Sequence, residues 1–122
     1  MIYNAVEELR EACVYWQGLL GLSDWKIVVK LARIYDMPEN TQGQCTWTIE
    51  RKEAVIKLLD HQDWDPDCLF EQDHEHTLCH ELIHLHFAPF FGVAQPDHEV
   101  EKEQAINAIT HALVRLKELQ NA

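Results

Sequence analysis

Thr77-Leu78-Cys79-His80-Glu81-Leu82-Ile83-His84-Leu85-His86-Phe87 is the stretch on which the fold turns. From residue 72 to 87 there is neither Gly nor Pro. Pro89 disfavours helix at the residue before it, so the pattern predicts a helix over residues 72–87. At ~100° per residue, Leu78, Cys79, Leu82, Ile83, Leu85 and His86 share one broad face, and Thr77, His80, Glu81 and His84 gather on the other. His80 and His84, four apart, project side by side, close enough for both imidazoles to hold one metal ion. Glu81 borders the same face, within reach of a water at that ion. Two neutral nitrogens beside a carboxylate suit tetrahedral zinc with an open fourth position. The plain alternative is a pair of surface histidines on an amphipathic helix. The helical context that the His-Glu-x-x-His spacing demands weighs against it.

The rest of the chain supplies a sheet and two more helices. Residues 4–20 carry Val6, Leu9, Ala12, Cys13, Trp16, Leu19 and Leu20 at helical spacing, with Gly21 as a stop. Residues 25–31, 45–51 and 53–59 are β-prone, and only Lys52, or Lys52 with Glu53 where the second run starts a residue later, separates the last two, which predicts a hairpin. The expected sheet has about three strands and is mainly antiparallel. Residues 60–67 hold four Asp and His61. They lack the Gly and closing Glu of a calcium-binding EF-hand loop and read as a polar loop. Residues 89–96 form an apolar loop, and Asp97 can cap a final helix running to about residue 119. Its expected core stripe is Ile106, Ile109, Ala112, Leu113 and Leu116. The order gives an α+β domain spanning residues 1–122, with a small sheet packed on helices.

With 122 residues, 47% of them hydrophobic and 25% charged, the chain has the composition of one globular domain. Its net charge of -11 opposes a nucleic-acid or anionic-membrane surface, which would need a basic face. No secretory signal and no run of ~18 uncharged apolar residues is visible. Cys13, Cys45, Cys68 and Cys79 form no Cys-x-x-Cys pair and read as free buried thiols of a cytoplasmic protein.

Catalytic zinc usually has three protein ligands. The last helix offers Glu99, Glu101 and Glu103. Acids in a first turn are already explained by the helix dipole, but Glu103 lies beyond that turn and borders the apolar stripe. Glu101 points away, and Glu99 remains the competitor. Asn107, one turn after Glu103, faces the same way and can hydrogen-bond a ligating histidine.

His80-Glu81-Leu82-Ile83-His84, followed by a helix opening with Glu103-Gln104-Ala105-Ile106-Asn107, resembles the gluzincin metallopeptidases. It is most similar to their minimal single-domain members and to phage-type metallopeptidases of about this size. The resemblance implies one zinc ion per chain held by His80, His84 and Glu103, with Asn107 supporting a ligand. It also implies a sheet whose edge strand, here residues 53–59, lies along the cleft and pairs with an extended peptide. The expected activity is peptide-bond hydrolysis by a zinc-activated water, with Glu81 as general base that later protonates the leaving amine. For an added oxyanion donor the sequence offers His86, His98, His111 and Tyr35 without choosing among them. His86 reads as a hydrogen-bonded core histidine. His74 and His76 read as solvated, with His76 one turn before His80 at the edge of the site. Peptide or protein is the expected partner, not nucleic acid or membrane. Two alternatives stand beside this reading. One is a zinc-bearing regulatory or binding module with little activity. The other is a SprT-like protease with His98 as third ligand, which the acidic charge opposes.

Overall fold

The structure, a computed structural model, describes residues 1–91 and 98–122. The architecture is α+β, as expected: three helices and a three-stranded sheet. Helix α1 (Val6–Leu19) buries Leu9, Cys13 and Trp16. It ends where Gly21 takes φ +70, which lets Leu22 N–H reach back to the Gln17 carbonyl at 2.8 Å. Strands β1 (Lys26–Ala32), β2 (Gly43–Thr48) and β3 (Glu53–Leu59) follow.

The sheet order is β1-β3-β2. β2 and β3 pair antiparallel, as a hairpin should, but β1 runs parallel to β3, from Lys26 opposite Glu53 to Ala32 opposite Leu59. The sheet is therefore mixed. Parallel pairing needs a long crossover, and here the 33–52 segment supplies one that carries β2 out to the far edge and back. The expected strand over residues 45–51 ends at Thr48, and a 3-10 turn (Ile49–Arg51) closes the hairpin with Lys52 at φ 50. β3 is consequently the central strand, and β2 takes the edge that the sequence reading gave to residues 53–59.

Helix α2 (His74–Phe91) packs against α1, β2, β3 and the last helix, α3 (Glu99–Gln120). Leu78, Cys79, Leu82, Ile83 and Leu85 are buried with Ile56 and Leu58 of β3 and Trp16 of α1. Such interior packing is the dominant favourable contribution to folding. α2 passes through Pro89 instead of stopping before it. Pro89 forfeits one helical hydrogen bond in the last turn, while buried Ala88 and the core-packed Phe87 hold that turn in place. The expected loop thus loses residues 89–91 to helix; residues 92–96 and the capping role of Asp97 lie outside the described residues. On α3 the inward face is Ile106, Thr110 and Val114, with Leu113 half-buried, whereas Ile109, Ala112 and Leu116 are exposed. Burial here advances by fours, and Thr110 takes an interior place that hydropathy alone gives to Ile109. Among the described residues no helix is long and apolar enough to cross a membrane.

Candidate metal centre

α2 and α3 lie side by side, and their facing turns assemble the four residues that the sequence singles out. His80 and His84 present Nε2 atoms 3.3 Å apart. Glu103 reaches His80 Nε2 with Oε2 and His84 Nε2 with Oε1, each at 3.1 Å. One ligand atom from each of His80, Glu81 and His84 also lies within 4.8 Å of the others. Tetrahedral zinc with bonds of about 2.05 Å has ligand-to-ligand edges of about 3.3 Å. The two imidazole nitrogens are spaced as such an edge requires, and the Glu103 carboxylate lies against both with one oxygen each, so the donor set fits zinc by element type and lies close enough to close on one ion. Burial holds the His84 imidazole below its usual range against the opposing pull of Glu103, favouring the neutral form that a ligand must have.

Glu81 stands next to this trio in a different environment. It is buried, and no ion pair joins it to a base among the described residues. Desolvation, reinforced by the Glu103 charge, pushes its carboxyl up to about 7. A buried carboxyl beside such a trio is placed to take and return a proton.

The four residues line a cavity of about 570 Å³ between α2, α3 and β2. Asn107 lines it too, one turn beyond Glu103, and no hydrogen bond joins it to either histidine. Of the competitors for third ligand, Glu99 binds Lys102 Nζ at 2.9 Å and Glu101 is exposed. His98 is exposed at the N-cap of α3.

The nominated oxyanion donors fare differently. His86 is exposed on α2, its Nε2 2.8 Å from the Leu20 carbonyl, so it is hydrogen-bonded but not in the core. Tyr35 lines a separate cavity, beyond the loop that precedes β2. The donors that do line the metal cavity include His76 and Lys102. Lys102 was missed because Lys at a helix start is ordinarily solvated, yet its side chain is only 10% exposed. His74, expected in solvent, is buried: Tyr3 N–H donates to its Nδ1 at 2.8 Å, so its Nε2–H donates to the Leu59 carbonyl, also at 2.8 Å.

β2 forms the opposite wall. Leu59 N–H donates to the Gln42 carbonyl at 2.9 Å, which makes Gln42 and Leu59 a hydrogen-bonded pair. By the alternation of an antiparallel ladder, Gly43, Cys45 and Trp47 then turn N–H and C=O outward along the edge that no other described strand pairs with. The same three residues line the metal cavity. Comparison with family models, with curated proteins and with solved structures returns no match for this chain.

Proposed function

We propose that this chain is a zinc-dependent metallopeptidase of minimal size. The observation that carries the reading is the pair of His80 and His84 Nε2 atoms 3.3 Å apart, each 3.1 Å from a different oxygen of the Glu103 carboxylate, with buried Glu81 beside them. A zinc ion held by His80, His84 and Glu103 supplies Lewis acidity, lowering the pKa of a water towards ~7 and polarising a carbonyl. Glu81 takes the proton of the attacking water on its carboxylate and returns it to the leaving amine. Its burial keeps the proton from exchanging into bulk solvent during that transfer. The outward-facing N–H and C=O groups of Gly43, Cys45 and Trp47 bind an extended peptide as an added strand, giving affinity through main-chain bonds. Lys102 and His76 are the donors from which negative charge on the substrate oxygen draws support. Glu103 at 3.1 Å from both imidazoles favours this reading over one in which His98 is the third ligand.

The test combines metal analysis with hydrolysis. Protein purified without added metal should carry zinc near one per chain, and His80→Ala/His84→Ala should carry none. Glu81→Gln should keep the zinc and lose hydrolysis of a peptide library by at least ~100-fold, the scale of general acid–base catalysis. Zinc retained by the double variant removes the metal assignment. A wild type that binds zinc and cleaves nothing leaves a binding module instead.

A further inference from the structure

Gly43 sits where β2 comes closest to α2, and the reason for glycine there is steric. Its φ lies outside the left-handed region, so no turn demands it. A Cβ at this position would stand 2.5 Å from Thr77 Cγ2, 3.2 Å from Glu81 Cγ and 3.4 Å from Glu81 Oε1. Carbon atoms in contact prefer about 3.5–4.0 Å, so the first approach is impossible without movement and the second is tight. The Thr77 methyl cannot simply rotate away. Thr77 Oγ1 donates to the Asp73 carbonyl at 3.1 Å, which fixes the rotamer that aims Cγ2 at the strand. The backbone of β2 therefore forms a wall against which the Glu81 side chain rests.

We propose that Gly43 is a positioning residue: by lacking a side chain it lets the edge strand hold the Glu81 carboxyl in one orientation beside the His80–His84 pair. A bulkier residue moves Glu81 into the cavity without touching a metal ligand. The catalytic part of this inference rests on the metallopeptidase reading above; the geometric part does not.

The experiment separates packing from positioning with a second substitution. Gly43→Ala brings both close contacts. Adding Thr77→Ser removes Cγ2 while keeping the hydroxyl bond to Asp73, so only the contacts with Glu81 remain. Wild type, Thr77→Ser, Gly43→Ala and the double variant are compared by thermal melting, by zinc affinity and by three-bond couplings that report the Glu81 rotamer in isotope-labelled metal-free protein. Gly43→Ala should melt earlier, and the double variant should regain most of the loss. Zinc affinity in the double variant should stay within about threefold of Thr77→Ser, since His80, His84 and Glu103 are untouched. The Glu81 couplings should nevertheless differ from those of Thr77→Ser, and kcat should fall about tenfold or more with KM within about threefold.

A double variant with Thr77→Ser couplings and kcat overturns the proposal and leaves Gly43 a packing residue. Altered couplings in a protein whose wild type cleaves nothing uphold the positioning of Glu81 and remove the peptidase reading instead. If Gly43→Ala fails to fold, the double variant alone, against Thr77→Ser, decides.

Discussion

Helix α2 carries two histidine–glutamate clusters barely two turns apart, and they are built on opposite rules. At its start, His74 has both ring nitrogens engaged by backbone, Tyr3 N–H on one side and the Leu59 carbonyl on the other. Its neighbour Glu75 is ion-paired with Lys117 of α3 and accepts from the Tyr3 hydroxyl. Lys117 in turn lies over the Tyr15 ring, 4.4 Å from its centroid. Every polar group there has a protein partner and the charges balance. Around His80 and His84 the nitrogens point at each other and at Glu103, and buried Glu81 adds a second carboxyl without a cation of its own. The same residue types thus make a closed structural knot in one place and, in the other, a cavity-lining cluster in which two carboxyls and two imidazoles converge. A buried polar cluster is stable when satisfied, and an unsatisfied one marks a place where a ligand completes it.

The contrast breaks most decisively on metal affinity. Glu103→Ala should weaken zinc by more than ~100-fold in a competitive chelator titration, since even a supporting residue typically costs 10–100-fold. Glu75→Ala, which removes an equally well-placed carboxylate from the closed cluster, should leave zinc affinity unchanged. Equal losses in the two variants would erase the distinction between the clusters.

Stability should show the reverse order. His74→Ala strands the buried Tyr3 N–H and opens a cavity, so urea unfolding should reveal a loss of about 2–4 kcal/mol. His80→Ala in metal-free protein removes one of the two imidazoles that Glu103 contacts, leaving it His84, and should cost less than about 1 kcal/mol. A larger loss at His80 than at His74 contradicts the assignment of structural and functional roles.

The smallest effect is in the pH dependence. Glu81 titrates near 7 when folded and at its ordinary 4.5 when unfolded. Between those values the folded chain holds a proton that the unfolded chain has lost, so metal-free stability falls as pH rises from 4.5 to 7 and then levels. Glu81→Gln removes this slope. It should stabilise the metal-free protein on the order of 2 kcal/mol at pH 8 and by nothing measurable at pH 4. Identical pH profiles for the two proteins would mean that Glu81 is not held in a desolvated site.

What the sequence showed, and what it withheld, follows from the range of the forces involved. The His80–His84 pair and Glu81 were legible because one helical turn determines their geometry. Glu103 was narrowed from the helix face and the dipole argument and singled out by the Glu-x-x-x-Asn pattern. α1 and β3 were legible because their apolar spacing is local: β3 has the expected bounds Glu53–Leu59. The parallel β1–β3 pairing was not, since nothing in Lys26–Ala32 records which neighbour a crossover will bring to it. The burial of His74 depends on Tyr3 and Leu59, 71 and 15 residues away, and no helical periodicity contains that information. Gly43 passed unnoticed for the same reason. A glycine in a loop-like stretch looks like a turn residue until Thr77 and Glu81 are seen pressing on it.

The open edge of β2 also bears on how the chain behaves when concentrated. An exposed strand edge is a template for another copy as readily as for any peptide, and proteins that keep one need a way to limit it. Here the edge is short, six residues or about 20 Å. At one end Lys52, at φ 50, turns the chain away into the hairpin, and at the other Asn40, at φ 60, bends it before the strand begins. Exposed threonines at 46 and 48 keep its outer face polar. Two such strands meeting edge to edge gain few main-chain bonds and bury little apolar surface, and a chain of net charge -11 repels its own copies. The net negative charge and the brevity of β2 thus both oppose pairing of this edge with a second copy.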